Sequence, residues 1–348
     1  MTLASMNIAA KFRIAVLLLI AANTGIAVAG TPQRFEFARI RMGVPFRVTV
    51  YADDEAVANS AVDAAFRRVK VLNDVFSDYD PRSESSRLCR DAVPGKPLPV
   101  SRDLQTVLER SQFFAELSHG AFDVTVGPMT KLWRRAKRSK QLPSHEQIEQ
   151  ARSLVGFHQL SLNSGNSTVT FDRTGIQLDF GGIACGYACD EIVRILKSHG
   201  LTRVLVESSG DIVAGDPPPG NDHWTIGIGS LAKPDAPPEK FIALVNRAVT
   251  TSGDAYQFVE FDGVRYSHIV DPKTGLGLTT RSSATVIAPD CTTADALATA
   301  ACVLGPDKGR TLIESFEGAE MLMIYVDEDG EFRTATTPGF EESVVQMP

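Results

Sequence analysis

Asp295 and Thr299 stand four residues apart in the run Ala294-Asp295-Ala296-Leu297-Ala298-Thr299. On a helix that spacing puts a carboxylate and a hydroxyl on one face, one turn apart. Two hard oxygen donors so placed suit a magnesium ion. The alternative for such a pair is an exposed acid beside a threonine that bonds back to its own helix carbonyl. His268 lies in a strand-like pattern between Ser267 and Ile269, with Asp271-Pro272 and Thr274-Gly275 turning just beyond it. An imidazole there is either a satisfied structural group or, because a polar turn flanks it, an acid/base facing a site. Asp123, Asp211 and Asp254 each sit in a glycine-containing turn at the end of an element. Backbone capping accounts for one such aspartate; three, with a glycine turn at Gly181-Gly182, exceed what capping requires.

The elements around these residues must bring them together. Ile176 to Phe180 reads as a short apolar strand, broken by Gly181 and Gly182, and a helix starts near Gly186. Ile192, Val193 and Leu196 give that helix an apolar stripe, and Gly200 suits its C-terminal end. Strand, glycine turn and helix N-terminus form an anion site, because free N–H groups and the positive end of the helix dipole point at whatever binds there. Gly-Gly-x-x-x-Gly is neither the dinucleotide fingerprint nor a P-loop. A plain strand-to-helix turn is the other reading.

Elsewhere the pattern is a mixture. Strands are expected in 34–51, a helix capped by Asp53 or Asp54 runs to Phe76 with Val57, Ala61, Ala64, Val69, Leu72 and Phe76 inward, and Ser101 caps a helix to Ser118. Residues 121–128 read as a loop, and Arg134 to Lys140 as a basic, solvated face. Thr250 to Asp254 reads as a polar turn. Hairpins are expected about Asp262-Gly263 and 327–330. A helix starts at Thr292 or Thr293 and runs to about Leu304. Helices and strands do not alternate as in a Rossmann sheet or a TIM barrel, so the fold class is mixed α/β (α+β), with antiparallel sheets, packed helices and two closely associated subdomains.

Lys11 and Arg13, the apolar run Ile14 to Ala22 and Ala27-Val28-Ala29 make residues 1–29 a secretory signal peptide cleaved near Ala29. The apolar run is too short for a membrane span. An exported, periplasmic chain of 30–348 acting as one domain is expected. A net charge of −7 argues against a nucleic-acid partner. Five cysteines, an odd and sparse set, do not make a disulfide framework.

Ser77-Asp78-Tyr79-Asp80 with Ser83 and Ser86-Arg87-Leu88; Gly120 to Pro128; Leu178 to Ala184; Gly210-Asp211; Thr251 to Asp254; Tyr266 to Gly275; and Ala294 to Thr299 stand in one order along the chain. Together they resemble the FAD:protein FMN transferase (ApbE) family, and the pair Ser-His-Ile-x-Asp-Pro-x-Thr-Gly and Ala-Asp-Ala-Leu-Ala-Thr is highly specific. The resemblance implies that Ala184 (through its carbonyl), Asp295 and Thr299 bind Mg²⁺ against the FAD diphosphate. It implies that Tyr79 packs on the flavin, that Ala121, Phe122 and Asp123 line the nucleotide pocket, that Asp179, Asp254 and Ile269 are further FAD contacts, and that His268 is the acid/base. The implied reaction moves FMN from FAD to a Thr or Ser hydroxyl of an acceptor flavoprotein and releases AMP.

Two positions depart from the family pattern. Cys185 stands at a cofactor-binding position where the family usually has Lys, sometimes Glu, which removes a polar nucleotide contact. Glu207-Ser208-Ser209-Gly210-Asp211 stands for Asn-x-Gly-Gly-Asp, which trades a flexible glycine for Ser209. Two other functions use the same residues: an FAD pyrophosphatase, with water replacing the acceptor hydroxyl, and a non-catalytic flavin-binding or delivery protein.

Overall fold

The structure is a computed structural model that describes residues 32–346; the expected signal peptide lies outside the described residues. The strands expected in 34–51 are β1 (Gln33–Arg41) and β2 (Val44–Ala52), paired as an antiparallel hairpin. Asp54 caps α1 (Glu55–Phe76) by accepting from the amides of Ala56 and Val57. The buried face of α1 runs through Ala58, Ala61, Val62, Phe66, Val69 and Leu72. Val57, expected inward, is exposed, because the stripe is centred one position further along.

α2 (Glu84–Asp91), β3 (Leu98–Pro99) and α3 (Arg102–Leu117) follow, the last capped by Ser101 as predicted. α4 (Gly127–Ser139) starts where the expected loop ends. Pro128 sits in its first turn, a position that needs no N–H donor. α5 (His145–Arg152), β4 (Leu160–Asn163) and β5 (Thr168–Phe171) lead to α6 (Ala184–Ser198). Ile176 to Phe180, expected as a strand, is extended but makes only a parallel bridge from Gln177 to Val126 and a bond from the Asp179 amide to the Val124 carbonyl at 2.8 Å. It lies beside a loop, not beside a strand that could complete a ladder.

The second half contains β6 (Val204–Ser208), β7 (Asp211–Ala214), β8 (Trp224–Ile228), β9 (Lys240–Leu244), β10 (Ala248–Gly253), β11 (Phe258–Phe261), β12 (Val264–Ser267) and β13 (Ser282–Ala288). It ends with α7 (Cys291–Glu314), β14 (Glu320–Val326), β15 (Phe332–Thr336) and β16 (Val344–Val345). The polar run Thr250 to Gly253 is no turn: it belongs to β10, an inner strand between β7 and β13. Its hydroxyls are tolerated inside because each finds a partner, Thr250 at Asp211 and Thr251 at Thr285. α7 loses helical geometry at Gly305, φ 77°, near its predicted end, and resumes from Pro306.

Eight strands form one antiparallel sheet in the order β1-β2-β6-β7-β10-β13-β14-β15. Its helix-facing side and α1, α3, α6 and α7 enclose the main core, around Phe46, Phe66, Leu104, Ile192 and Leu297. The other side packs Leu205, Ile212, Val249 and Ile287 against the small sheet β16-β9-β8. A third, smaller core joins α4 and α5 to the hairpin β11-β12 through Met129, Trp133, Ala151 and Phe261. The fold is therefore the expected mixed α/β arrangement of antiparallel sheets and packed helices. Among the described residues no helix is long and apolar enough to cross a membrane.

Candidate active site

α6 and α7 cross at Gly186. A Cβ there would stand 2.4 Å from the Cys291 carbonyl oxygen and 3.0 Å from Asp295 Cβ, so only glycine allows this approach. The Gly186 amide donates to Asp295 Oδ2 at 3.3 Å. Thr299, one turn on, points at the glycine turn, where a Cβ on Gly182 would lie 2.8 Å from Thr299 Oγ1. Ser252 of β10 touches the same hydroxyl at 3.3 Å. Ala184 opens α6 and is buried. Of the three expected metal ligands, Asp295 and Thr299 lie on α7 facing Gly186 and Gly182, and Ala184 lies on α6 between those two glycines in sequence.

Among the described residues no cationic side chain acts on Asp295. Burial raises its pKa well above the ordinary carboxylate range, the charge of Asp211 adds to this, and the Gly186 amide opposes it only partly. Asp211 is itself buried and raised by burial, with the Thr250 hydroxyl donating to it at 2.8 Å. Asp190, on the inner face of α6, is pushed up to about 6 by burial although the amides of Cys291 and Thr292 and the Thr292 hydroxyl all donate to it. Two buried carboxylates without a counter-charge are costly unless a cation compensates them. Carboxylate, hydroxyl and carbonyl oxygens are the donors a hard divalent ion takes, so the residues present fit Mg²⁺. Among the described residues no three His, Cys, Asp or Glu side chains converge as a metal cluster.

Cys185 sits beside this centre. Its thiol is pushed far up by burial and by the charges of Asp211 and Asp295. The neighbouring Ser208 hydroxyl is buried and has no hydrogen-bond partner among the described residues.

β10 carries the site further. Two residues past Ser252, Asp254 is buried and accepts from Arg265 Nε at 2.7 Å and from the Ser282 amide at 3.2 Å. His268 follows β12, just beyond the strand it was expected to occupy. Its Nδ1 lies 3.1 Å from the Gln257 carbonyl. An Nδ1–H donated there leaves Nε2 as the free base. The ring is open to solvent on one side, yet the protein mass behind it lowers its pKa by desolvation; Lys137 adds to this, and the Gln257 bond and the charges of Asp254 and Asp179 oppose it. Ile269 is buried with both backbone groups engaged, its amide donating to Ser267 Oγ and its carbonyl accepting from Leu278.

The flavin side of the expected site centres on Arg134. Its guanidinium donates to Asp179 at 2.8 Å and to Asp78, and lies 4.4 Å from the centroid of the Tyr79 ring. Asp179 also accepts from the Thr130 hydroxyl and the Gly181 amide. Tyr79 is 75% exposed, its ring free to take a planar partner. Ala121 and Phe122 are buried. The Asp123 carboxylate is filled by the Thr125 amide and hydroxyl and the Phe157 amide, so it holds its loop in shape and any ligand there meets backbone.

Sequence reading placed Arg134 on a solvated face and missed its role, as it missed Ser252 inside a supposed turn. The available signal was Gly127-Pro128 followed by Met129, Trp133 and Ala136 at helical spacing, which puts Thr130 and Arg134 together on the adjoining face.

The model of the family described as "ApbE family" matches residues 42–323. The chain is 34% identical over 335 residues to the FAD:protein FMN transferase of Treponema pallidum (strain Nichols), covering 91% of this chain and 92% of that protein. It is 33% identical over 267 residues to the FAD:protein FMN transferase of Vibrio cholerae, covering 76% and 79% of the two chains. The solved ApbE protein of Thermotoga maritima superposes with a TM-score of 0.78 at 31% identity, over 89% of this chain and 99% of that one. The flavinyl transferase ApbE of Pseudomonas stutzeri does so with a TM-score of 0.78 at 30% identity, over 91% and 98%.

Proposed function

Because this chain belongs to the ApbE family, whose relatives are FAD:protein FMN transferases, we propose that it transfers FMN from FAD to a Thr or Ser hydroxyl of an exported or membrane flavoprotein, with Mg²⁺, and releases AMP. The observation that carries this reading is the packing of Asp295 against Gly186 and of Thr299 against Gly182, where the buried Asp295 and Asp211 carboxylates lack a cationic partner among the described residues. The chain acts after cleavage near Ala29, as one domain of 30–348.

Ala184 (carbonyl), Asp295 and Thr299 would hold the ion, which when bound neutralises charge on the diphosphate. The N-terminus of α6 orients the phosphates by its free amides. Tyr79, steadied by Arg134, packs on the isoalloxazine. His268 Nε2 takes the proton of the acceptor hydroxyl while that oxygen bonds to the FMN-side phosphorus. The bond from this phosphorus to the bridging oxygen breaks, and AMP leaves with that oxygen. The product is flavin joined to the acceptor by a phosphoester. The Gln257 carbonyl, accepting from Nδ1–H, keeps the imidazole in the tautomer this step needs.

The test is incubation of the mature protein with FAD, Mg²⁺ and candidate acceptors. A fluorescent protein band in a denaturing gel, with AMP released in step, is expected. FMN and AMP formed without any acceptor would replace the transferase with a pyrophosphatase, and tight FAD binding without AMP would replace it with a carrier.

A further inference from the structure

Arg134 uses one cation of a basic run whose remainder makes no ion pair among the described residues. From Gly127 to Lys140 there are six Lys or Arg residues and no acid, in a chain of net charge −7. Among the described residues Arg134 is the only member of the run that pairs with a carboxylate. Lys131, Arg135 and Arg138 recur at i, i+4 and i+7 and so form one stripe along α4, about 10 Å long at a helical rise of roughly 1.5 Å per residue. Arg135 and Arg138 are exposed.

The stripe begins at a half-open cavity of about 470 Å³ beside Tyr79. Lys131 lines it with Ser86, Gln177, Leu178 and Tyr79, as does Arg90, which pairs with Asp91 at 3.0 Å, so Lys131 is its one unpaired cation among the described residues. Asp78 is the one carboxylate in the lining, and Arg134 already holds it. The cavity and stripe therefore present net positive charge, and like charges gathered on one face repel unless an anionic partner offsets them.

We propose that the cavity and the α4 stripe dock an acidic segment of the acceptor polypeptide and lead its hydroxyl past Tyr79 to the site. The proposal rests on the transferase reading above. A single diphosphate spans too little to meet cations spread over about 10 Å, whereas an extended chain covers that length in three or four residues at roughly 3.3 Å each. A concave cavity at the end of the stripe admits a chain rather than a flat lipid surface. Carboxylates alternating along the segment would meet Lys131, Arg135 and Arg138 in turn, and exposed pairs of this kind act mainly on encounter and are weakened by salt.

The experiment uses FAD-loaded protein and fluorescein-labelled peptides of about twelve residues, each with one Thr, either acidic or neutral overall. Fluorescence anisotropy at low and high salt should show the acidic peptide bound roughly tenfold tighter, with the preference shrinking as salt rises. The variant Lys131→Glu/Arg135→Glu/Arg138→Glu should lose that preference while its FAD affinity and AMP release stay at the wild-type values. Lys131→Gln/Arg135→Gln/Arg138→Gln should move the same way by less, which covers a charge reversal that fails to fold. Equal binding of the two peptides overturns the proposal. So does a variant that loses FAD affinity in parallel, since the cations would then serve FAD, or wild-type binding to phosphatidylglycerol vesicles without a peptide preference. A wild-type protein that never consumes FAD would instead remove the transferase reading.

Discussion

The Gly186 amide donates to Asp295 Oδ2 across 3.3 Å, and a methyl group on Gly186 would stand 2.4 Å from the Cys291 carbonyl oxygen. The helix crossing and the ligand geometry are thus one constraint. Gly186→Ala should force α6 and α7 apart, lowering stability by about 1–3 kcal/mol as overpacking does, and should abolish Mg²⁺-dependent turnover as well. Chemical denaturation and AMP release measure the two effects. Unchanged turnover would show that the crossing does not set the site.

If Asp295 holds Mg²⁺ as proposed, Asp295→Ala should cut turnover by on the order of a hundredfold or more, since a hard cation then loses a charged ligand. Its metal-free stability should stay near wild type or rise, because the lost carboxylate is buried without a counter-charge. The sign of the pH effect follows from the raised pKa. Protonated Asp295 favours the metal-free fold at low pH, and that contribution is lost as pH rises through the raised value. The gain in Tm from Mg²⁺ should therefore grow with pH in the wild type and vanish in Asp295→Ala. Scanning fluorimetry across pH, with and without Mg²⁺, checks this; an Asp295→Ala protein that keeps the gain would take Asp295 out of the site.

His268→Gln should slow transfer by roughly 10²–10⁴-fold, the usual contribution of a general base. Desolvation by the protein on one side of the ring lowers the imidazole pKa, so the base stays unprotonated further into acid. Activity should fall with decreasing pH only below the ordinary value of 6.5. The acid limb of the kcat/KM profile should disappear in His268→Gln. A limb that persists unchanged belongs to another group.

Arg134→Ala should raise KM for FAD about tenfold with little change in kcat, because it frees Tyr79 and leaves Asp179 without its cation. Arg134→Lys keeps the charge but cannot fork between Asp78 and Asp179, so it should rescue only part of the loss. Equal kcat and KM in Arg134→Ala would mean that the guanidinium only braces α4.

Cys185→Lys should tighten FAD binding several-fold and weaken the response to Mg²⁺, since an ammonium placed beside Asp211 and Asp295 supplies counter-charge where the thiol supplies none. Calorimetric FAD titration at low and high Mg²⁺ reads both. Binding unchanged at both concentrations would show that the thiol position does not face the ligand.

Much of the outline was legible in local signals. The capping residues Asp54 and Ser101, the hairpin turn at Asp262-Gly263 and the Asp295–Thr299 spacing are each set by neighbours a few residues away, and each appears where its pattern predicts. The motif residues named the family for the same reason: their order along the chain survives without any knowledge of packing.

What the sequence could not decide depended on distant partners. Thr250 to Gly253 looked like a turn because its side chains are polar, and it became an inner strand because Asp211 and Thr285, far along the chain, satisfy those hydroxyls in the interior. Ile176 to Phe180 looked like a strand because it is apolar, and it lacks a ladder because a loop, not a strand, lies beside it. Arg134 looked solvated within a run of like charges, and only the approach of α4 to Asp78, Tyr79 and Asp179 gives it work. Hydrophobic periodicity and caps are written in the residues themselves; whether a buried polar group is paired or orphaned is decided only when tertiary structure brings its partner to hydrogen-bond distance.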